Sequence, residues 1–121
     1  MPKPQIPNTQ VTIDASGKIL GRVATQVAVI LRGKHLPTFR PDVISGEKVL
    51  VKNVSKIVVT GKKIQDKKYA HFSGYAGGLR QTSYGEKLSK DPKGMFRLAV
   101  SRMLPDNRTR KKIMRRLIIQ P

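Results

Sequence analysis

Residues 11–22 read VTIDASGKILGR: an apolar run, a Gly-Lys pair and the start of a helical pattern, the outline of a loop that grips a nucleotide phosphate. Such a loop requires G-x-x-x-x-G-K-[ST], because its first glycine opens the turn and the hydroxyl after the lysine holds the metal. Thr12 stands where the first glycine should be and Ile19 follows Lys18, so both requirements fail. The dinucleotide fingerprint G-x-G-x-x-G fails as well, since three residues separate Gly17 from Gly21 and no third glycine follows in register. A structural strand-to-helix turn at Gly17, with Gly21 letting the helix pack closely on a sheet, is the simpler expectation. A helix N-terminus flanked by Lys18 and Arg22 is also a natural seat for a nucleic-acid phosphate, and both readings stand at this point.

Enzyme chemistry has little to work with. His35 and His71 are the only histidines and cysteine is absent, which excludes disulfides, thiolate zinc sites and cysteine nucleophiles together. Neither a metal cluster nor a Ser-His-Asp constellation can be assembled from the spacing. Asp14, at the end of the first apolar run, is the one carboxylate in a catalytic-looking place, and a cap for the following helix or its turn accounts for it. No catalytic residue, metal, nucleotide or other cofactor is expected.

The cations are the dominant chemistry. Lys and Arg number 25 against 7 Asp and Glu, a formal net charge of +18, so a compact fold would repel itself unless a polyanion neutralised it. Three clusters stand out. Lys62, Lys63, Lys67 and Lys68 flank a short turn; Arg32, Lys34, His35 and Arg40 surround a loop; Arg108, Arg110, Lys111, Lys112, Arg115 and Arg116 run without one acidic residue. One such run is ordinarily a solvated face, whereas three on so basic a chain point to phosphate contacts. Ile113, Met114 and Leu117 interrupt the last cluster and would anchor it while its cations face outward.

Tyr69, His71, Phe72 and Tyr75 lie beside Lys68 and the stretch SGYAGG at 73–78. Rings next to cations and glycines could stack on unpaired bases, worth about 1–3 kcal/mol per base. Phe72 reads as core in preference to stacking surface, and Tyr69 stands evenly between the two.

These residues need elements to hold them. The first ten residues, with prolines at 2, 4 and 7, predict an extended arm, and residues 11–121 one α/β domain. Val11–Ala15 predicts a strand, and the apolar spacing Leu20, Val23, Ala24, Val27, Ile30, Leu31 a helix ended by Gly33. Residues 33–47 read as a long loop. The β-branched runs Val49–Val51 and Ile57–Val59 suit strands buried on both faces, and Lys67–Phe72 is a third extended segment. Ser83 with Glu86 forms a capping-box pattern, and Asp91-Pro92 starts a better helix, with apolar pairs at 95–96, 99–100 and 103–104. A basic helical turn from Arg108 and a final strand at Leu117–Ile119 follow. The alternation predicts a three-layer domain, a small, mainly parallel sheet with helices on both faces, its final strand beside the first.

Hydrophobic residues make up 38% of the chain, enough for one core in periodic segments. No apolar run approaches the roughly 18 residues of a membrane span, and the N-terminus has no secretory pattern, so a soluble protein is expected. A mature organellar protein already relieved of its targeting segment remains an alternative to a bacterial one.

DASGKILGRVAT, LRGK, VKNVSKIVVTGKK, Gly77-Gly78-Leu79-Arg80-Gln81 and Met103-Leu104-Pro105 occur in an order and spacing that resemble the bacterial-type large-subunit ribosomal protein thirteen family, over roughly Val11 to Ile119. The resemblance implies a single α/β domain that binds large-subunit rRNA beside neighbouring ribosomal proteins, in the cytoplasm, joining the particle early and without catalysis. It favours Lys68, His71, Gly74, Gly77 and Arg80 as an RNA-facing loop. No membrane partner and no homo-oligomer are implied. The sequence departs from the pattern at Asn8-Thr9-Gln10, where a Trp is often found, and at Pro121, where many members continue into a longer tail. A free-standing RNA-binding regulator or chaperone is the competing expectation.

Overall fold

The computed structural model describes residues 9–42, 44 and 46–121; the expected arm lies outside them up to residue 8. The first unit is parallel: β1 (Gln10–Asp14), α1 (Leu20–Arg32) and β2 (Lys48–Lys52). A 3₁₀ turn at Val54–Lys56 leads to the short α2 (Lys63–Asp66) and an antiparallel hairpin of β3 (Lys68–Phe72) and β4 (Leu79–Ser83). Then come α3 (Tyr84–Lys90), α4 (Pro92–Met103), α5 (Arg110–Met114) and β5 (Leu117–Ile119). The result is a mixed α/β domain with a small parallel sheet, in the order β1-β2-β5, and a separate two-stranded hairpin.

Two expectations about the sheet need correction. The last strand lies beside β2, not β1, so β2 is central. Its Val49-Leu50-Val51 run offers apolar residues to both faces, whereas β1 reads Gln-Val-Thr-Ile-Asp, polar on one face and suited to an edge. Ile57–Val59 is also not a strand: it makes one parallel bridge, Val58 to Ile19. Ile57 is buried there, but Val58 is 44% exposed, so the run closes the end of the sheet instead of extending it.

The register aligns Val11, Val49 and Leu117 in one row and Ile13, Val51 and Ile119 in the next, all on one face because side chains alternate along a strand. Val49 and Val51 are fully buried in one cluster with Val23, Val27 and Leu31 of α1 and Phe96 and Val100 of α4, and α1 packs along α4. On the opposite face Leu50 is half-buried and Ile118 exposed.

The helix boundaries follow their chemical signals. Gly33 takes φ +81° and donates its N–H to the Val29 and Ile30 carbonyls, closing α1. Ser83 Oγ accepts the Glu86 N–H at 3.3 Å, and an Asp91 carboxylate oxygen accepts the Gly94 N–H at 3.0 Å ahead of Pro92. The long loop returns at Gly46, which is buried against the Leu31 carbonyl at the end of α1. The Arg116 guanidinium donates to the Gly46 carbonyl, and the Val49 N–H donates to the Arg116 carbonyl at 3.1 Å, so the loop, α1 and β5 are tied at one point.

Candidate nucleic-acid interface

The β3–β4 hairpin carries Lys68, Tyr69, His71 and Arg80, with Gly74 and Gly77 in its tip. His71 stands opposite Arg80 and Phe72 opposite Leu79. Gly74 and Gly77 have φ of +90° and +75°, a region that glycine alone enters freely, so these two positions shape the tip. Phe72, expected in the core, is 62% exposed, and Tyr75 and Leu79 are exposed beside it. The hairpin meets the body through α2 and α3 near its base, leaving the Phe72 end with no neighbouring layer to enter. β4 has no strand-like sequence pattern; its Leu79-Arg80-Gln81-Thr82 run is set by pairing with β3.

Tyr69, at the base, is half-buried against the core and lies 5.9 Å from the Tyr84 ring. Lys67 Nζ, Lys87 Nζ and Arg102 Cζ approach the Tyr69 ring centroid at 5.6, 4.7 and 5.5 Å. Lys87 and Arg102 are absent from the sequence-derived set. Each stands outside any run of consecutive cations, on α3 and α4, and a search for runs of charge passes over such residues, which meet only in the fold.

At the start of α1 the backbone amides of the turn are occupied by the fold. Gly17, at φ +69°, donates its N–H to the Lys56 carbonyl at 3.1 Å, and Lys18 donates its own to Ala15 at 3.2 Å. A phosphate loop would aim such amides at its ligand, so the structural turn is the reading the geometry supports. The Lys18 and Arg22 side chains remain exposed. Gly21 departs from expectation: a Cβ there meets nothing within 4 Å, so close packing does not require it.

The other two clusters divide between free and engaged cations. Around the loop, Arg32 lies over the Phe39 ring at 5.7 Å, Arg40 pairs with Asp42 at 3.1 Å and His35 faces Glu47 at 3.8 Å, while Lys34 is exposed. In the C-terminal segment Arg108, Lys111, Lys112 and Arg115 are exposed, and Ile113 and Met114 are buried beneath them. Arg110 pairs with Asp106 at 3.2 Å and donates to the Pro105 carbonyl at 3.4 Å. Arg116 is partly buried against Gly46, and burial lowers its guanidinium below the ordinary value. Lys62 and Lys63 stand exposed at the start of α2 with Lys67 and Lys68 beyond it. Among the described residues none of the exposed lysines of these clusters is ion-paired.

The sequence matches the family model described as "Ribosomal protein L13" over residues 8–120. The chain belongs to the ribosomal protein L13 family. It is 51% identical over 107 residues to the large ribosomal subunit protein uL13 of Chloroflexus aggregans, covering 88% of this chain and 75% of the relative. The protein of the same name from Clostridioides difficile is 50% identical over 105 residues, covering 87% and 73%, and that of Thermotoga petrophila is 50% identical over 105 residues, covering 87% and 70%. Every cation cluster of this L13-family chain and the whole hairpin fall inside the matched range. Among the described residues, no helix is long and apolar enough to cross a membrane.

Proposed function

We propose that this protein is a structural constituent of a bacterial large ribosomal subunit in the cytoplasm, where it binds and stabilises large-subunit rRNA next to neighbouring proteins and acts early in assembly, without catalysis. The observation that carries the reading is the excess of exposed cations on a small folded body: three ion pairs join Lys or Arg to a carboxylate among the described residues, against a net charge of +18. RNA phosphates are the partner that such a surface suits. The ribosomal names of the relatives support the particle in which this occurs.

The contact set has three parts. Lys18, Arg22, Lys62, Lys63, Lys67 and Lys68 form a basic margin around the base of the hairpin. His71, Gly74, Gly77 and Arg80, with Tyr69 behind them, form the tip and stem that enter the RNA, where the glycines admit close backbone approach. Arg32, Lys34, His35 and Arg40 on the loop, with Arg108, Arg110, Lys111, Lys112, Arg115 and Arg116, cover further phosphates; within this part Arg110 and Arg116 also hold the fold.

Sedimentation through a high-salt sucrose cushion tests the assignment. The protein should stay with large subunits after the wash. Recovery in the ribosome-free fraction would instead favour a free-standing RNA-binding regulator.

A further inference from the structure

An open cleft of about 520 Å³ lies between the N-terminus of α1, the start of α2, the base of the hairpin and α4, within the range of ligand pockets, about 300–1,000 Å³. Leu20, Met95, Leu98 and Ala99 supply apolar lining, Tyr69 and Tyr84 aromatic lining, and Arg22, Lys63, Lys67 and Arg102 the charge; among the described residues no carboxylate lines it. Lys87 joins from α3 through the Tyr69 ring. Three cations gathered around one ring repel each other, and among the described residues none of these cations is ion-paired. The first turn of α1, which also lines the cleft, has neither an acidic residue nor a side-chain cap, so its positive end adds to the same field.

A second feature is independent of the charge. Tyr84 is 4% exposed and lines the cleft, and among the described residues its hydroxyl makes no side-chain hydrogen bond; burial, followed by the neighbouring Tyr69 phenol, raises it above the ordinary value. A buried phenol hydroxyl ordinarily has a partner, and this one borders a cleft where a ligand could supply it.

The geometry points to this cleft as the seat of one unpaired nucleotide of RNA, its base lodged beside Tyr69 over the apolar lining and its phosphate among Arg22, Lys63, Lys67 and Arg102. The inference rests on the RNA-binding reading above and adds the class of RNA recognised: a base leaving its helix, since a duplex keeps its bases stacked and offers its backbone and grooves. A peptide of Asp and Glu alone would satisfy the cations but has no flat ring for the aromatic and apolar walls.

Gly21 allows a test that leaves the core intact. It lines the cleft, and a Cβ there meets nothing within 4 Å. Gly21→Leu therefore narrows the cleft with a residue that favours the helix more than glycine does. Arg102→Gln removes a cation from an exposed position. Fluorescence anisotropy on the 121-residue chain, at low salt, compares a labelled oligouridylate with an RNA duplex of equal charge. Each variant should weaken oligouridylate binding about tenfold and leave duplex binding unchanged. Equal losses on both probes, or no loss on either, would overturn the nucleotide site while RNA binding itself stands. An oligoglutamate that competes as well as oligouridylate would also overturn it. Wild-type protein that bound neither RNA would sink the RNA-binding reading and the site together.

Discussion

Asn53 donates its side-chain amide to Asp14 Oδ1 at 3.0 Å, and the same oxygen accepts the Ser16 N–H at 2.9 Å. Asn53 sits at φ +58° just after β2, the one non-glycine residue with positive φ among the described residues, a conformation asparagine tolerates better than most side chains. The ends of two neighbouring strands are thus joined through one carboxylate. The residue of this chain that looks most catalytic in sequence holds a turn.

That bond makes stability depend on acid pH. The Ser16 N–H foremost, then the Asn53 amide, lower the Asp14 carboxyl below its ordinary value of 3.8. A carboxyl whose folded value is depressed contributes stability that is complete above the unfolded value and is lost as pH falls through the folded one. Thermal unfolding of wild type and Asp14→Ala should therefore differ at neutral pH, with the variant melting lower, and the two curves should converge below pH 3.8. A gap that persists undiminished at the acid end would show that Asp14 acts through something other than its charge.

Gly46 should be among the least replaceable positions. A Cβ there would fall on the Leu31 carbonyl at the end of α1, a backbone group that cannot swing aside. Gly46→Ala should cost about 1–3 kcal/mol or more, as overpacking does, while Gly21→Ala should gain up to about 1 kcal/mol from helix propensity alone. Urea unfolding of the two variants checks the contrast, and equal midpoints would contradict it.

The same pair of glycines shows where sequence reading ends. Glycine at 33 was legible because a helix stripe ended there between Arg32 and Lys34, a local signal. Glycine at 46 carries no local signal, since what it must avoid lies fifteen residues earlier in the chain and close in space only after folding. The helices α1, α3, α4 and α5, the caps at Gly33, Ser83 and Asp91, and β1, β2, β3 and β5 were readable for the first reason, whereas α2 (Lys63–Asp66), one turn with no buried residue, carries no apolar stripe to announce it. The neighbour of β5, the fate of Ile57–Val59 and the existence of β4 were not, because each is decided by which strand another strand meets. The candidate interface divides likewise: the charge runs were visible as composition, whereas Lys87 and Arg102 join Tyr69 only through tertiary packing.

The exposed tip of the hairpin separates stability from binding. Phe72 is 62% and Tyr75 80% exposed, so neither contributes much to folding. Phe72→Ser should change the unfolding free energy by less than about 0.5 kcal/mol, as surface substitutions usually do. If the tip enters RNA, the same change should weaken binding to purified large-subunit rRNA about fivefold or more, the lower end of what a lost stacking contact costs. A variant that unfolds earlier and binds normally would return Phe72 to a structural role.

The C-terminal cations make the sharpest division, because six residues that look alike in sequence differ in the fold. Lys111, Lys112 and Arg115 are exposed on α5 and the turn after it, whereas Arg110 reaches Asp106 and the Pro105 carbonyl and Arg116 reaches the Gly46 carbonyl. Replacing Lys111, Lys112 and Arg115 together with Gln should lower the salt dependence of RNA binding by about one unit of slope for each phosphate contact removed, with little change in melting temperature. Arg116→Gln should do the reverse: lower stability, because the loop return at Gly46 loses its tether, and leave most of the slope in place. Melting curves and binding isotherms at several salt concentrations measure both. Should the triple variant keep the wild-type slope, this segment would be a solvated face, and the phosphate contacts would have to come from the loop and the base of the hairpin.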